Sequence, residues 1–160
     1  MSEPKKKRAK PVTMTSRSRS LLESQGWIVG LVERTVWIPK RVNGIPTGEK
    51  FMQKFDLWGW ADLACVHPDK IGTLYVQTTH STDAWQRRLK ILEATAATEA
   101  VLKSQNTIQV HGWAKTGARG KRKLWTVKVS ECHLVNGQLK FVDVSEKSLD
   151  EANEPVETLF

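Results

Sequence analysis

The residues best equipped for chemistry lie between positions 54 and 90, in the stretch KFDLWGWADLACVHPDKIGTLYVQTTHSTDAWQRRLK. Asp62 interrupts the apolar run of residues 58–66. Gln77 and Thr79 close a second apolar run that opens at Leu74, and Arg87, Arg88 and Lys90 follow. A lone carboxylate in an apolar strand is costly to bury without a metal or a basic partner. Gln77 offers a neutral oxygen, and Thr79, two residues on, shares its strand face. A carboxylate, an amide and a basic cluster in this order suit work on a phosphodiester. Such hydrolysis uses a divalent cation to polarise the phosphate and generate hydroxide. Mg²⁺ keeps several waters, so one or two carboxylates and a carbonyl suffice to hold it. Asp62 is therefore the leading metal ligand, completed by Gln77, with Glu33, Glu23 and Asp56 as further acids. Lys54 and Lys90 are the candidates for a cation that stabilises charge in the transition state.

These residues need elements to position them. A first helix is expected over residues 17–24, capped by Thr15 or Ser16 and stopped by Gly26. It carries Glu23. Residues 27–39, WIVGLVERTVWIP, form a β-rich run interrupted by Glu33. Residues 42–50, VNGIPTGEK, are rich in turn formers and read as a surface loop. A second strand is expected within residues 51–66. A tight connection over 67–72 leads to a third strand over 73–79, apolar enough to be central in a sheet. One long helix follows over residues 82–104, with Trp85, Leu89, Leu92, Ala96 and Ala100 on a single stripe. Thr82 can cap it. A fourth strand over 107–113 and a fifth over 124–134 flank the basic loop KTGARGKRK, residues 115–123. Asn136-Gly137 is a type I′ hairpin signal. The order α-β-β-β-α-β-β describes an α/β domain with a mixed central sheet of about five strands flanked by helices. Its expected limits are residues 15–145, between a disordered basic arm (1–14) and an acidic tail (146–160).

Charge narrows the partner. The chain has 160 residues and a net charge of +8. Residues 1–20 carry seven Lys/Arg against one acid, and residues 143–160 carry six acids against one Lys. A basic body with a basic arm implies a polyanion, chiefly nucleic acid. The expected phosphate contacts are Lys5, Lys6, Lys7 and Arg8 in the arm and Arg87 and Arg88 on the helix. Lys115, Arg119, Lys121, Arg122 and Lys123 would add contacts from the loop. Arg87 and Arg88 would lie in the first turns of the helix, where N–H groups also favour anions. No apolar run is long enough for a membrane span, and no apolar segment follows the basic N-terminus as in a secretory signal. Cys65 and Cys132 read as buried free thiols of a reducing compartment. The His and Cys spacings do not form a zinc pattern. Trp58 and Trp60 share a strand face and suit either a dimer interface or base stacking.

Taken in order, these motifs resemble the PD-(D/E)XK nuclease superfamily. Asp62 matches the family's Asp on the second core strand, and Gln77-Thr78-Thr79 matches its (D/E)-X-K triplet. The resemblance is nearest to small phage and prokaryotic members with D…QxT, which include Holliday-junction resolvases. Lys54-Phe55-Asp56 with Gly59 and Asp62 matches a (K/R)xD(x)nGxxD element. His111-Gly112-Trp113 and the strand around Trp125 fit the later part of the pattern. The resemblance spans roughly residues 16–134. It implies a restriction-endonuclease-like fold, Mg²⁺ or Mn²⁺ as cofactor, and cleavage of branched DNA by a symmetric homodimer. It also implies a cytoplasmic setting in a prokaryotic or phage-infected cell. Gln77 departs from the family's Glu, and Thr79 from its Lys. Those departures point to an alternative, a non-catalytic DNA-binding protein on a degenerate nuclease fold. A basic RNA- or ribosome-associated protein is a third reading of the charge.

Overall fold

The computed structural model describes residues 9–145. Lys5, Lys6, Lys7 and Arg8 of the arm and the 146–160 tail lie outside the described residues. Three helices and eight strands follow in the order α1 (Met14–Ser24), β1 (Ile28–Leu31), β2 (Arg34–Val42), β3 (Ile45–Phe55), β4 (Leu63–Val66), β5 (Leu74–His80), α2 (Asp83–Ala94), α3 (Ala96–Lys103), β6 (Thr107–Thr116), β7 (Leu124–Val135) and β8 (Gln138–Asp143). Six strands form one sheet in the order β1-β4-β5-β6-β7-β8, and β2 and β3 pair separately. The sheet is mixed: β5 and β6 run parallel, and every other pairing is antiparallel. The α2–α3 crossover makes the parallel pair possible.

Strand alternation sends side chains to two faces. Leu63, Cys65, Leu74 and Val76 pack with Leu22 of α1 on one face. Ile108, Val110 and Cys132 pack with Trp85 and Leu92 of α2 and Val101 of α3 on the other. The two cysteines thus sit in separate cores, both buried and free. Burial pushes the Cys65 thiol up to about 12 and the Cys132 thiol up to about 11, so both stay protonated at neutral pH. Gly112 lets α2 approach. A Cβ there would lie 2.7 Å from the Trp85 ring, so no larger residue fits without displacing the helix.

Several boundaries differ from expectation, each for a local reason. Residues 42–50 are not a loop. Asn43 and Gly44 take successive left-handed conformations (φ 51 and 79), the geometry of a two-residue hairpin turn, and both arms are paired. The β-rich run 27–39 is divided between the main sheet and this ribbon. The second expected strand, 51–66, is also divided. Trp58 and Gly59 are left-handed (φ 56 and 79), and Leu57 bridges back to Ala61. The long helix breaks at Thr95, which is extended (φ −97, ψ 119) and donates its hydroxyl to the Ile91 carbonyl at 2.6 Å. Thr13, rather than Thr15 or Ser16, caps α1 by accepting the Ser16 N–H. The sixth strand of the sheet, β8, follows the turn at Asn136-Gly137. No described helix is long and apolar enough to cross a membrane.

Candidate functional site

Asp62 precedes β4 and is buried, 2% exposed. Its backbone N–H is held by the Val76 carbonyl, which sets its carboxylate beside the end of β5. Three donors converge on one oxygen, Oδ2: Gln77 Nε2 at 2.9 Å, the Thr78 backbone N–H at 2.7 Å, and Thr78 Oγ1 at 3.0 Å. Oδ1 accepts no hydrogen bond from the described residues. Gln77 spends its second N–H on the Thr78 carbonyl. Its own Oε1 is buried with no hydrogen-bond partner. The Gln77 amide is thus clamped through its nitrogen, and its oxygen is left without a partner.

Two further acids join Asp62. The hairpin begins just after Glu33 and ends just before Asp56, so its root brings both back to the start of β4. Carboxylate oxygens of Glu33, Asp56 and Asp62 lie within 4.8 Å of one another. Lys54, at the end of β3, forms an ion pair with Glu33. Burial lowers the Lys54 pKa, but the Glu33 hydrogen bond and the charges of Glu33, Asp62 and Asp56 outweigh it and hold the ammonium above its ordinary value. Asp62 is also raised, from the ordinary carboxylate range up to about 7. Burial is the main cause, and the neighbouring charges of Asp56 and Glu33 add to it against the Thr78 hydrogen bonds.

This donor set suits a small divalent cation. All its groups are oxygens, which hard cations prefer. Around octahedral Mg²⁺, trans oxygens sit roughly 4.2 Å apart and cis oxygens roughly 3 Å apart, so three carboxylate oxygens within 4.8 Å of one another would draw together to share one ion.

The other candidates distribute as follows. Glu23 does not join the acids. It is exposed on α1 and pairs with Arg19 at 2.9 Å. Lys90 is exposed on α2 and forms no ion pair among the described residues, so Lys54 is the cation at the cluster. Thr79 is buried beside Gly112 and makes no hydrogen bond to Asp62. Thr78, between the two residues singled out by sequence, is the one that grips Asp62. Its hydroxyl also lies 3.0 Å from Thr15 Oγ1, tying α1 to the site. Simple alternation assigns Thr78 to the opposite face from Gln77, so nothing in the sequence flags it. Trp60 is fully buried and Trp58 half-exposed in the 57–61 turn. They pack on each other (5.8 Å), and Trp58 packs on Tyr75 (5.0 Å), rather than forming a flat exposed pair.

The basic candidates are largely exposed. Arg87 is exposed and Arg88 half-buried in the first turns of α2. Lys115, Arg119, Lys121, Arg122 and Lys123 are all exposed. Arg17, which the sequence did not flag, stacks over Trp125 at 4.2 Å, and Lys115 approaches the same ring at 5.4 Å.

A separate cavity of about 340 Å³ opens on the α1 face, and none of its lining residues belongs to the acidic cluster. Beside it, Trp113 Nε1 donates to Ser18 Oγ, which leaves the Ser18 hydroxyl free to donate to His111 Nδ1. His111 Nε2 then donates to Gln109, and Gln109 to Glu131. Burial lowers the His111 pKa to about 4, so this chain holds a neutral imidazole.

Comparison with known proteins finds no matching family model, no matching curated protein and no matching solved structure. The functional reading therefore rests on the residues and their geometry.

Proposed function

We propose that the chain is a metal-dependent DNA endonuclease of the PD-(D/E)XK type, built on a restriction-endonuclease-like core and acting on branched DNA. One observation carries this reading. Glu33, Asp56 and Asp62 converge where β4 starts beside the end of β5, Lys54 pairs with Glu33, and Gln77, whose Oε1 has no partner, donates its amide N–H to Asp62. Asp62, Asp56 and Glu33 would hold Mg²⁺ or Mn²⁺, with Gln77 Oε1 as a neutral ligand. The cation would supply Lewis acidity and a hydroxide at neutral pH. Asp62 is held through Oδ2 by Thr78 and Gln77, which leaves Oδ1 without a hydrogen bond from the described residues. Lys54 neutralises Glu33 at rest and is near enough to meet a phosphate oxygen drawn into the cluster. Arg17, Arg88 and the 115–123 loop would hold flanking phosphates. A four-way junction needs two matched cuts, so the working form is a C₂ dimer.

A second reading is favoured by Gln77 and Thr79 themselves. A neutral amide and a hydroxyl stand where the resembled family has a carboxylate and an amine, which fits a DNA-binding protein that does not cut. One experiment separates the two. A labelled four-way junction, a matched linear duplex and single-stranded DNA are incubated with Mg²⁺, Mn²⁺ or EDTA, beside Asp62→Asn. Paired nicks in the junction, lost in EDTA and in the variant, are expected. Tight, salt-sensitive binding without cutting in either metal selects the second reading. Preference for RNA without metal dependence rejects both.

A further inference from the structure

The β2–β3 ribbon is a long excursion that the acidic cluster does not require. Among the described residues, no other element packs broadly against it. A free two-stranded ribbon is marginal in water, yet this one exposes large apolar side chains: Trp37 is 62% and Met52 63% exposed. These two are cross-strand partners. No aromatic or cationic group stacks on the Trp37 ring among the described residues.

Register fixes which way that pair faces. Thr35 opposes Lys54, Trp37 opposes Met52 and Pro39 opposes Lys50. Alternation puts Lys54, Met52, Lys50 and Trp37 on one ribbon face. Lys54 reaches Glu33 from that face. Trp37 is therefore two residues beyond Lys54 and four beyond Glu33 of the acidic cluster, roughly 13 Å along the strand from that acid. Residues 34–55 carry five Lys/Arg against one acid, and of these Lys50 and Lys54 stand on the Trp37 face. A basic, aromatic face leading from a phosphate-handling cluster complements a nucleic-acid strand better than a second copy of an equally basic ribbon.

We infer that this ribbon face is a binding platform for an unpaired nucleic-acid segment next to the site, with Trp37 stacked on a base and Lys50 on a phosphate. The inference rests on the nuclease reading and adds a structural preference to it. A base is free to stack on Trp37 only where it has left a duplex, so the platform favours DNA with an unpaired segment over continuous duplex.

The test measures binding in EDTA, so that no cutting intervenes. Fluorescence anisotropy compares a duplex bearing a short single-stranded overhang with a fully paired duplex of equal length. Trp37→Ala is expected to weaken overhang binding about tenfold and duplex binding less than twofold, and Trp37→Phe to recover most of the loss. Lys50→Ala is expected to lower the salt dependence of overhang binding. Trp37 is exposed, so circular dichroism should match wild type, and Trp37→Phe preserves the test if Ala disturbs the ribbon. Equal weakening on both DNAs overturns the inference. So does an unchanged affinity, or a loss traced by sedimentation to a dissociated homodimer. If wild type binds neither DNA, the nuclease reading falls with it. If wild type binds and Trp37→Ala matches it, this inference alone falls.

Discussion

Gln77 Nε2 lies 2.9 Å from Asp62 Oδ2 while Gln77 Oε1, equally buried, has no partner. The amide nitrogen holds the carboxylate, and the amide oxygen keeps its accepting capacity unused. Replacing the amide with an acid tests this polarity. Gln77→Glu loses the donor and adds a fourth negative charge. Its melting temperature in EDTA is expected to fall by several degrees. Its affinity for Mn²⁺, followed by titration calorimetry, is expected to rise by tenfold or more. A variant as stable as wild type in EDTA, with unchanged Mn²⁺ affinity, contradicts this role for Gln77.

The raised Asp62 pKa has a definite sign in stability. Its folded value of about 7 exceeds its ordinary 3.8, so between those values the folded chain binds more protons than the unfolded one. Stability from this group is therefore greatest at low pH and is lost as pH rises toward 7, by at most about 1.4 kcal/mol per pH unit. His111 acts in the opposite direction. Its folded value of about 4 lies below its ordinary 6.5, so it costs stability as pH falls through that window. The two partly cancel in wild type, so the clean measurement is the difference from Asp62→Asn. In EDTA, the melting temperature of Asp62→Asn relative to wild type is expected to be higher at pH 8 than at pH 5. Mg²⁺ is expected to raise the wild-type value more at pH 8 than at pH 5, and to do little for the variant. A difference that is flat across pH removes Asp62 as the titrating group.

Thr78→Val deletes one hydroxyl that meets both Asp62 and Thr15 while keeping the backbone N–H. Losing a buried hydrogen bond to a carboxylate costs about 1–3 kcal/mol. Urea denaturation should show that loss without a change in slope. Metal affinity should fall as well, because Asp62 Oδ2 is less firmly held. A loss under about 0.5 kcal/mol, below the usual worth of a hydrogen bond, means that the N–H and Gln77 suffice.

Gly112→Ala places a methyl 2.7 Å from the Trp85 ring. Overpacking of this kind costs typically 1–3 kcal/mol. The expected sign is destabilising, and Trp85→Leu in the same background should recover part of it by making room. Full stability in Gly112→Ala alone means that α2 shifts freely from β6.

Much of this architecture was legible locally. The apolar runs around Asp62 and Gln77 marked two core strands, and β4 and β5 pair as neighbours with those residues at one edge. The stripe through Trp85, Leu89 and Leu92 marked a packing helix, and Trp85 and Leu92 are buried. The break at Thr95 is hidden because a single β-branched residue inside a good apolar period does not announce one. The hairpin is masked because Pro46 and Gly48 flank Asn43-Gly44 with further loop signals, although that dipeptide by itself marks a tight strand connection.

The candidate site divides in the same way. By itself the sequence determined that Asp62 and Gln77 are polar groups within apolar runs, that Lys54 and Asp56 sit close by in the chain, and that the charge suits a polyanion. Those are properties of composition and short-range period. Only the tertiary structure decided that Glu33 joins Asp56 and Asp62 while Glu23 does not, that Lys54 rather than Lys90 meets them, and that Thr78 grips the carboxylate. The reason is physical. Side chains converge through strand pairing and the closing of a hairpin at its root. Both are non-local contacts, fixed by register and burial across the whole sheet.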